Sequence, residues 1–119
     1  MDLIIGGAYQ GKEAYARARY GLEDEDIFVC GEDGELDGSK RCFCHLERYV
    51  LSCVRRGMEP VCPFREDAVI LCTDISCGVV PTDGELRAWR EAVGRLLCGL
   101  ADRAEHVTRL FCGIPQVLK

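Results

Sequence analysis

Leu3-Ile4-Ile5-Gly6-Gly7-Ala8-Tyr9-Gln10-Gly11-Lys12-Glu13 decides how this chain is read. The opening apolar run describes a buried strand, the glycines a tight turn, and the residues from Lys12 onward the start of a helix. Gly6-x4-Gly11-Lys12 has the spacing of a phosphate-binding loop, in which successive backbone N–H groups converge on an anion and the lysine reaches the outer phosphates. The unpaired N–H groups of the following helix add to that preference for negative charge. Gly6, Gly7, Ala8, Tyr9, Gln10, Gly11, Lys12 and Glu13 are therefore the candidate nucleotide-binding residues, with Lys12 the candidate catalytic cation.

One position departs from the pattern. A Ser or Thr hydroxyl normally follows the lysine and holds Mg²⁺, whereas here the residue is Glu13. A carboxylate about 4 Å from a phosphate at an effective dielectric near 20 costs roughly 4 kcal/mol per charge pair unless a cation lies between them. Glu13 thus either turns away, binds Mg²⁺ itself, or weakens nucleoside triphosphate binding.

The 119 residues, 48% of them hydrophobic, suit a single domain over 1–119. A net charge of −5 gives no footprint for nonspecific nucleic-acid binding. The amino-terminal apolar run lacks a basic flank, and no stretch reaches the roughly 18 apolar residues of a membrane span, so a cytoplasmic protein is expected. Nine cysteines are an odd number, and without a secretion signal they read as reduced thiols. Cys30, Cys72, Cys98 and Cys112 fall within apolar elements. Cys42-x-Cys44-His45 is the one tight cluster, with Cys53 and Cys62 as possible further metal ligands, but it lacks the Cys-x2-Cys spacing of common zinc sites.

Along the chain, a strand over 2–6 leads to a helix ending at Tyr20, with Gly21 a left-handed stop. Ile27-Phe28-Val29-Cys30 reads as a second strand and 31–38 as an acidic, glycine-rich loop. Phe43, Leu46, Val50, Cys53 and Val54 have helical spacing, so a helix is expected from a Ser39 cap to Arg55-Arg56-Gly57, with His45 beside the stripe. Ala68-Val69-Ile70-Leu71-Cys72-Thr73-Asp74 is the pattern of a central parallel strand. Its carboxylate falls on the sheet edge where α/β proteins bind ligands, which makes Asp74 a candidate catalytic residue and Mg²⁺ ligand, or else a loop hydrogen-bond acceptor. After a non-helical excursion over 76–81, Thr82-Asp83-Gly84-Glu85 reads as a capping box with Thr82 at the cap. The long helix that follows carries Leu86, Trp89, Val93, Leu96 and Leu100 on one stripe, with Arg87, Glu91, Arg95 and Asp102 in water and Trp89 as an anchor. Residues 107–112 supply a last strand and 113–119 an extended tail. The alternation predicts an α/β, three-layer P-loop-type fold with a small, mostly parallel sheet flanked by helices.

The same residues carry a resemblance. Gly6-Gly7-Ala8-Tyr9-Gln10-Gly11-Lys12-Glu13 is similar to the loop Gly-Gly-Ala-Arg-Ser-Gly-Lys-Ser of the adenosylcobinamide kinase/adenosylcobinamide-phosphate guanylyltransferase family of cobalamin biosynthesis. Thr73-Asp74-Ile75-Ser76-Cys77-Gly78-Val79-Val80-Pro81 resembles that family's Asn-Glu-Val-Gly-x-Gly-Ile-Val-Pro, and the likeness runs on through Trp89-Arg90 and Gly94-Arg95 to Gly113-Ile114-Pro115 and Leu118-Lys119. It covers about the first twenty residues and 67–119. The resemblance implies phosphorylation of the aminopropanol hydroxyl of adenosylcobinamide by ATP or GTP with Mg²⁺, then GMP transfer through a guanylylated histidine, in a homo-oligomer. This chain is shorter than family members, and its middle offers no separate strand ending in an acidic partner for the loop. Leu97-Cys98 replaces the family's Asn-Gln, and His45 lies in different-looking surroundings, so the histidine role is not carried over. Three readings follow: a reduced kinase using Lys12 with Glu13 or Asp74 on Mg²⁺; a noncatalytic paralogue binding nucleotide, a corrinoid precursor or a partner subunit; and a small metal- or thiol-dependent protein built on Cys42, Cys44 and His45.

Overall fold

In the computed structural model, which describes residues 1–76 and 82–119, the chain forms one six-stranded sheet flanked by helices. The stretch 77–81, within the excursion before the long helix, lies outside the described residues. The elements are β1 (Asp2–Gly6), α1 (Lys12–Tyr20), a short 3₁₀ turn (Asp24–Asp26), β2 (Ile27–Val29), β3 (Cys42–Cys44), α2 (Leu46–Arg55), β4 (Val69–Thr73), α3 (Gly84–Arg103), β5 (His106–Phe111) and β6 (Ile114–Val117). The strand order is β2-β3-β4-β1-β5-β6, parallel throughout except for the β5–β6 pair.

Side-chain alternation divides the core into two layers, because successive strand residues point to opposite faces. Leu3, Phe43, Ile70, Cys72 and Val107 pack with Val50 and Cys53 of α2 and Val93 and Leu100 of α3. Ile4, Cys42, Cys44, Val69, Leu71 and Leu110 pack on the other side with Ala16 of α1 and Leu22. The three-layer α/β arrangement expected from the sequence is therefore observed. Gly21 ends α1 with φ 63°, its N–H bonded to the Arg17 carbonyl, as the left-handed stop required.

Several expectations are corrected. The helix expected from Ser39 is two elements: Cys42–Cys44 is a strand and α2 begins only at Leu46. Ser39 caps nothing; its N–H and hydroxyl both donate to Asp37 Oδ1 in a turn. The middle of the chain thus does contain a separate strand, β3, between β2 and β4, but it ends at Cys44-His45 and so supplies no acidic partner for the loop. Phe43 mimicked a helical position because it does join the α2 face of the core, but it arrives there from the strand.

The extended tail is also a strand, β6, folded back on β5. The α3 cap is Asp83 rather than Thr82: its side chain accepts from the Glu85 and Leu86 N–H groups. On α3 Val93 and Leu100 are buried and Trp89 and Leu96 partly so, whereas Leu86 is 39% exposed and sits beyond the core. Cys30 and Cys72 are buried as expected, but Cys98 and Cys112 are exposed.

Candidate functional site

The loop residues and Asp74 lie at the same sheet edge, where the sheet's connections diverge. β1 and β4 are parallel neighbours in the register Gly6↔Thr73, and the Asp74 N–H donates to the Gly6 carbonyl at 2.9 Å, so their carboxyl ends emerge side by side. From β1 the chain leaves through α1 on one face toward β2; from β4 it leaves through α3 on the other face toward β5. Such a switch point opens a crevice outside the strand ends, which is where open α/β sheets hold ligands.

The loop between β1 and α1 lines this crevice. Gly11 adopts φ 87°, a left-handed conformation that glycine takes without cost. Tyr9 adopts φ 58° with its side chain fully exposed, an uncommon backbone state for a non-glycine residue. The loop's back is tied down, since the Gln10 carbonyl accepts from Gly113 N–H at 3.0 Å and Gln10 Oε1 accepts from Cys112 N–H in the β5–β6 turn. Lys12 folds over the loop, donating from Nζ to the Gly7 carbonyl at 2.6 Å and to the Gly6 carbonyl at 3.4 Å. Partial burial lowers the pKa of this ammonium from its ordinary value, with the Glu47 carboxylate acting in the opposite direction.

Glu13 stays at the edge of the loop cavity but its carboxylate is paired along α1. Its Oε1 accepts from Arg17 Nε at 3.2 Å and from the terminal guanidinium nitrogen at 3.1 Å, and Arg17 also meets Asp24 at 2.8 Å. The repulsion anticipated between Glu13 and a phosphate is thus offset by an arginine one helical turn away. Asp74 takes the loop-acceptor role, its Oδ1 accepting from the Ser76 N–H at 2.9 Å and from the Ser76 hydroxyl. The structure does not bring Asp74 and Glu13 together. Lys12 and Glu13 line a cavity of about 260 Å³ with Tyr9, Cys44 and His45, whereas Asp74 lines one of about 220 Å³ with Gly6, Gly7, Gln10 and Arg109.

Sequence reasoning missed Glu47. It is only 6% exposed, and it is held at both oxygens: Oε2 accepts the Thr73 N–H at 3.0 Å, and Oε1 lies 3.2 Å from His45 Nδ1. The Glu47 carbonyl takes the Trp89 indole N–H at 2.7 Å, which is how Trp89 anchors α3 to the start of α2. Once α2 is known to begin at Leu46, the signal is legible, because Glu47 precedes the buried Val50 and Leu51 by three and four residues and therefore lies on the buried face. His45 sits between β3 and α2 with φ 59°, and it lines the cavity shared by Lys12 and Glu13 as well as a second, of about 450 Å³, shared by Lys12, Glu47, Thr73 and Trp89.

Cys42 and Cys44 are hydrogen-bonded to each other, but His45 does not join them in a three-ligand group. Cys42 and Cys44 are buried toward α1, and among the described residues the set of three potential metal-ligating groups that approach one another is Asp2, Glu105 and His106, at the opposite end of the sheet. No helix among the described residues is long and apolar enough to cross a membrane. Comparison with known proteins finds no matching family model and no curated match.

Proposed function

We propose that the chain is a P-loop nucleotide-binding protein whose 6–13 loop receives the phosphates of ATP or GTP, and that it acts as a shortened relative of adenosylcobinamide kinase, transferring the γ-phosphoryl group to the hydroxyl of adenosylcobinamide. The observation that carries this reading is Lys12, whose Nζ lies against the Gly6 and Gly7 carbonyls at the mouth of the loop, with the exposed residues Gly7, Ala8 and Tyr9 around it. An ammonium resting on loop carbonyls is a cation placed where phosphate oxygens would displace it onto themselves. The position of the loop at the switch point of the sheet supports the same reading.

Mg²⁺ fits one of its two candidate ligands. Asp74 stands at the end of β4 beside Gly6 and Gly7, and would hold the ion that neutralises phosphate charge during transfer. Glu13, paired with Arg17, does not fit that role. The replacement of the loop hydroxyl by this paired carboxylate favours a second reading, a nucleotide-binding paralogue without turnover, which also serves for a corrinoid precursor or partner subunit.

Calorimetry with Mg·GTP and Mg·ATP separates these outcomes. Wild-type protein binds nucleotide, Lys12→Ala weakens binding by at least about tenfold, and transfer to adenosylcobinamide follows binding. No heat at millimolar nucleotide removes the phosphate-binding reading, and binding without turnover leaves the paralogue. Self-association belongs to the same proposal: Phe111, Ile114, Val117 and Leu118 are all more than half exposed on the β5–β6 hairpin and its tail. Light scattering is expected to give a mass above the 13.2 kDa of one chain, and a monomer would remove this part of the reading.

A further inference from the structure

We propose that His45 is the proton acceptor of the loop site and that Glu47 is the positioning residue that keeps its Nε2 free to act. The inference rests on the nucleotide-binding reading above and adds to it a base for the acceptor alcohol.

The argument begins with donors and acceptors. A carboxylate only accepts hydrogen bonds. Glu47 lies between two groups, the backbone N–H of Thr73 at 3.0 Å and His45 Nδ1 at 3.2 Å, so the proton of a neutral imidazole is placed on Nδ1. The second ring nitrogen, Nε2, is then an acceptor. His45 lines both cavities that Lys12 lines, so the two residues border the same space beside the loop.

The backbone supports a built arrangement. His45 occupies the left-handed region at φ 59°, where a non-glycine residue persists only if its surroundings hold it. Here it is held from both sides, since Cys44 is buried in the sheet and the His45 carbonyl accepts the Arg48 N–H at 2.9 Å in the first turn of α2. Glu47 is itself fixed through Thr73 to the end of β4, the strand that leads to Asp74. A buried carboxylate with both oxygens engaged costs desolvation free energy and persists when its geometry is satisfied on every side.

In the step this assigns, the acceptor hydroxyl loses its proton to His45 Nε2 as its oxygen bonds to the γ-phosphorus. The bond from that phosphorus to the β,γ-bridging oxygen breaks, and its electron pair leaves with the nucleoside diphosphate. The imidazolium then returns its proton to solvent. His45 touches the reacting hydroxyl; Glu47 acts through it.

Glu47→Gln is the informative variant because it keeps size and removes one acceptor. The amide has one carbonyl oxygen for two donors; with that oxygen on Thr73 N–H, its NH₂ faces His45 Nδ1 and drives the ring proton to Nε2. ¹⁵N chemical shifts of the imidazole, read against the one other histidine, His106, are expected to show Nδ1–H in wild type and Nε2–H in the variant. With Mg·GTP and adenosylcobinamide, kcat is expected to fall about a hundredfold in Glu47→Gln and in His45→Gln. The double variant falls no further, and Kd for GTP stays within about threefold of wild type in all three. An Nε2–H tautomer in wild type, additive losses, or an acid-labile phosphorus on His45 would each overturn the proposal while nucleotide binding stood. Nucleotide bound but never transferred overturns it as well, and absence of nucleotide binding removes the loop reading beneath it.

Discussion

Gly6 has no room for a side chain: a Cβ there meets the Leu110 backbone carbonyl oxygen of the neighbouring strand at 2.6 Å. Because that obstacle is backbone, relief requires β1 and β5 to separate at the register position Gly6↔Leu110. Gly6→Ala is therefore expected to lower the unfolding free energy by about 2–3 kcal/mol, in the range of overpacked cores, measured as a shift in urea midpoint. Residue type and spacing made this glycine and Lys12 legible from the sequence, since few other demands place Gly-x4-Gly-Lys after an apolar run. The direction of Glu13 was not legible. It depends on Arg17, four residues on, which competes for the carboxylate, and a sequence does not rank that partner against a cation. Glu47 was hidden for a different reason: a glutamate in the first turn of a helix is ordinarily a solvated dipole partner. Its burial follows once the helix start at Leu46 puts it on the face of Val50 and Leu51, and the Thr73 N–H of β4 supplies the partner that makes that burial tolerable.

Elements followed the same logic. β1 and β4 were readable because each is a continuous apolar run, and α1 because the glycine-rich turn before it and Gly21 after it mark its ends. β3 was not, since Cys42-Phe43-Cys44 is three residues buried on both faces, a run with no period of its own. Placed before the helical stripe Leu46, Val50 and Cys53, its Phe43 extended that stripe by a further turn. What interrupts the helix is the left-handed backbone of His45, a conformation enriched for histidine but far from specific to it. The β5–β6 hairpin escaped notice in a related way. Its two-residue turn, Cys112 at φ 52° and Gly113 at φ 76°, has positive φ at both central positions, as right-handed strand twist favours. Cys-Gly supplies that geometry without the Asn or Asp that usually signals it, so the sequence reads as a tail where the structure forms a strand. The error bears on the site, because the same turn holds Gln10 from behind.

At the scale of the whole molecule, the placement of the loop, Asp74 and the His45–Glu47 pair at one sheet edge follows from the crossover rule. Connections that move in opposite directions along a parallel sheet must cross on opposite faces, so a cleft opens where they part. The interior that supports this edge is unusually rich in thiols, and this predicts how stability responds to base. Burial pushes the Cys30 thiol up to about 12 and the Cys62 thiol up to about 11. Cys44 is also raised, first by its hydrogen bond with Cys42, and Cys72 is raised by burial, while the same bond lowers Cys42 and offsets part of the effect. In the unfolded chain a thiol ionises near 8.5. Above that pH the unfolded state has released protons that the folded state retains, so stability falls as pH rises toward the folded values. Urea denaturation is expected to give a free energy that the thiols leave unchanged between about pH 6 and 8 and that declines from about pH 9 toward 12, by at most about 1.4 kcal/mol per pH unit for each fully buried thiol. Cys30→Ala should flatten the decline, since Cys30 is completely buried and its ionisation is confined to the unfolded chain through most of that range. A slope unchanged by that substitution would mean that the alkaline response arises from other groups, with Tyr20, raised by burial and by its bond to Asp2, the first to test.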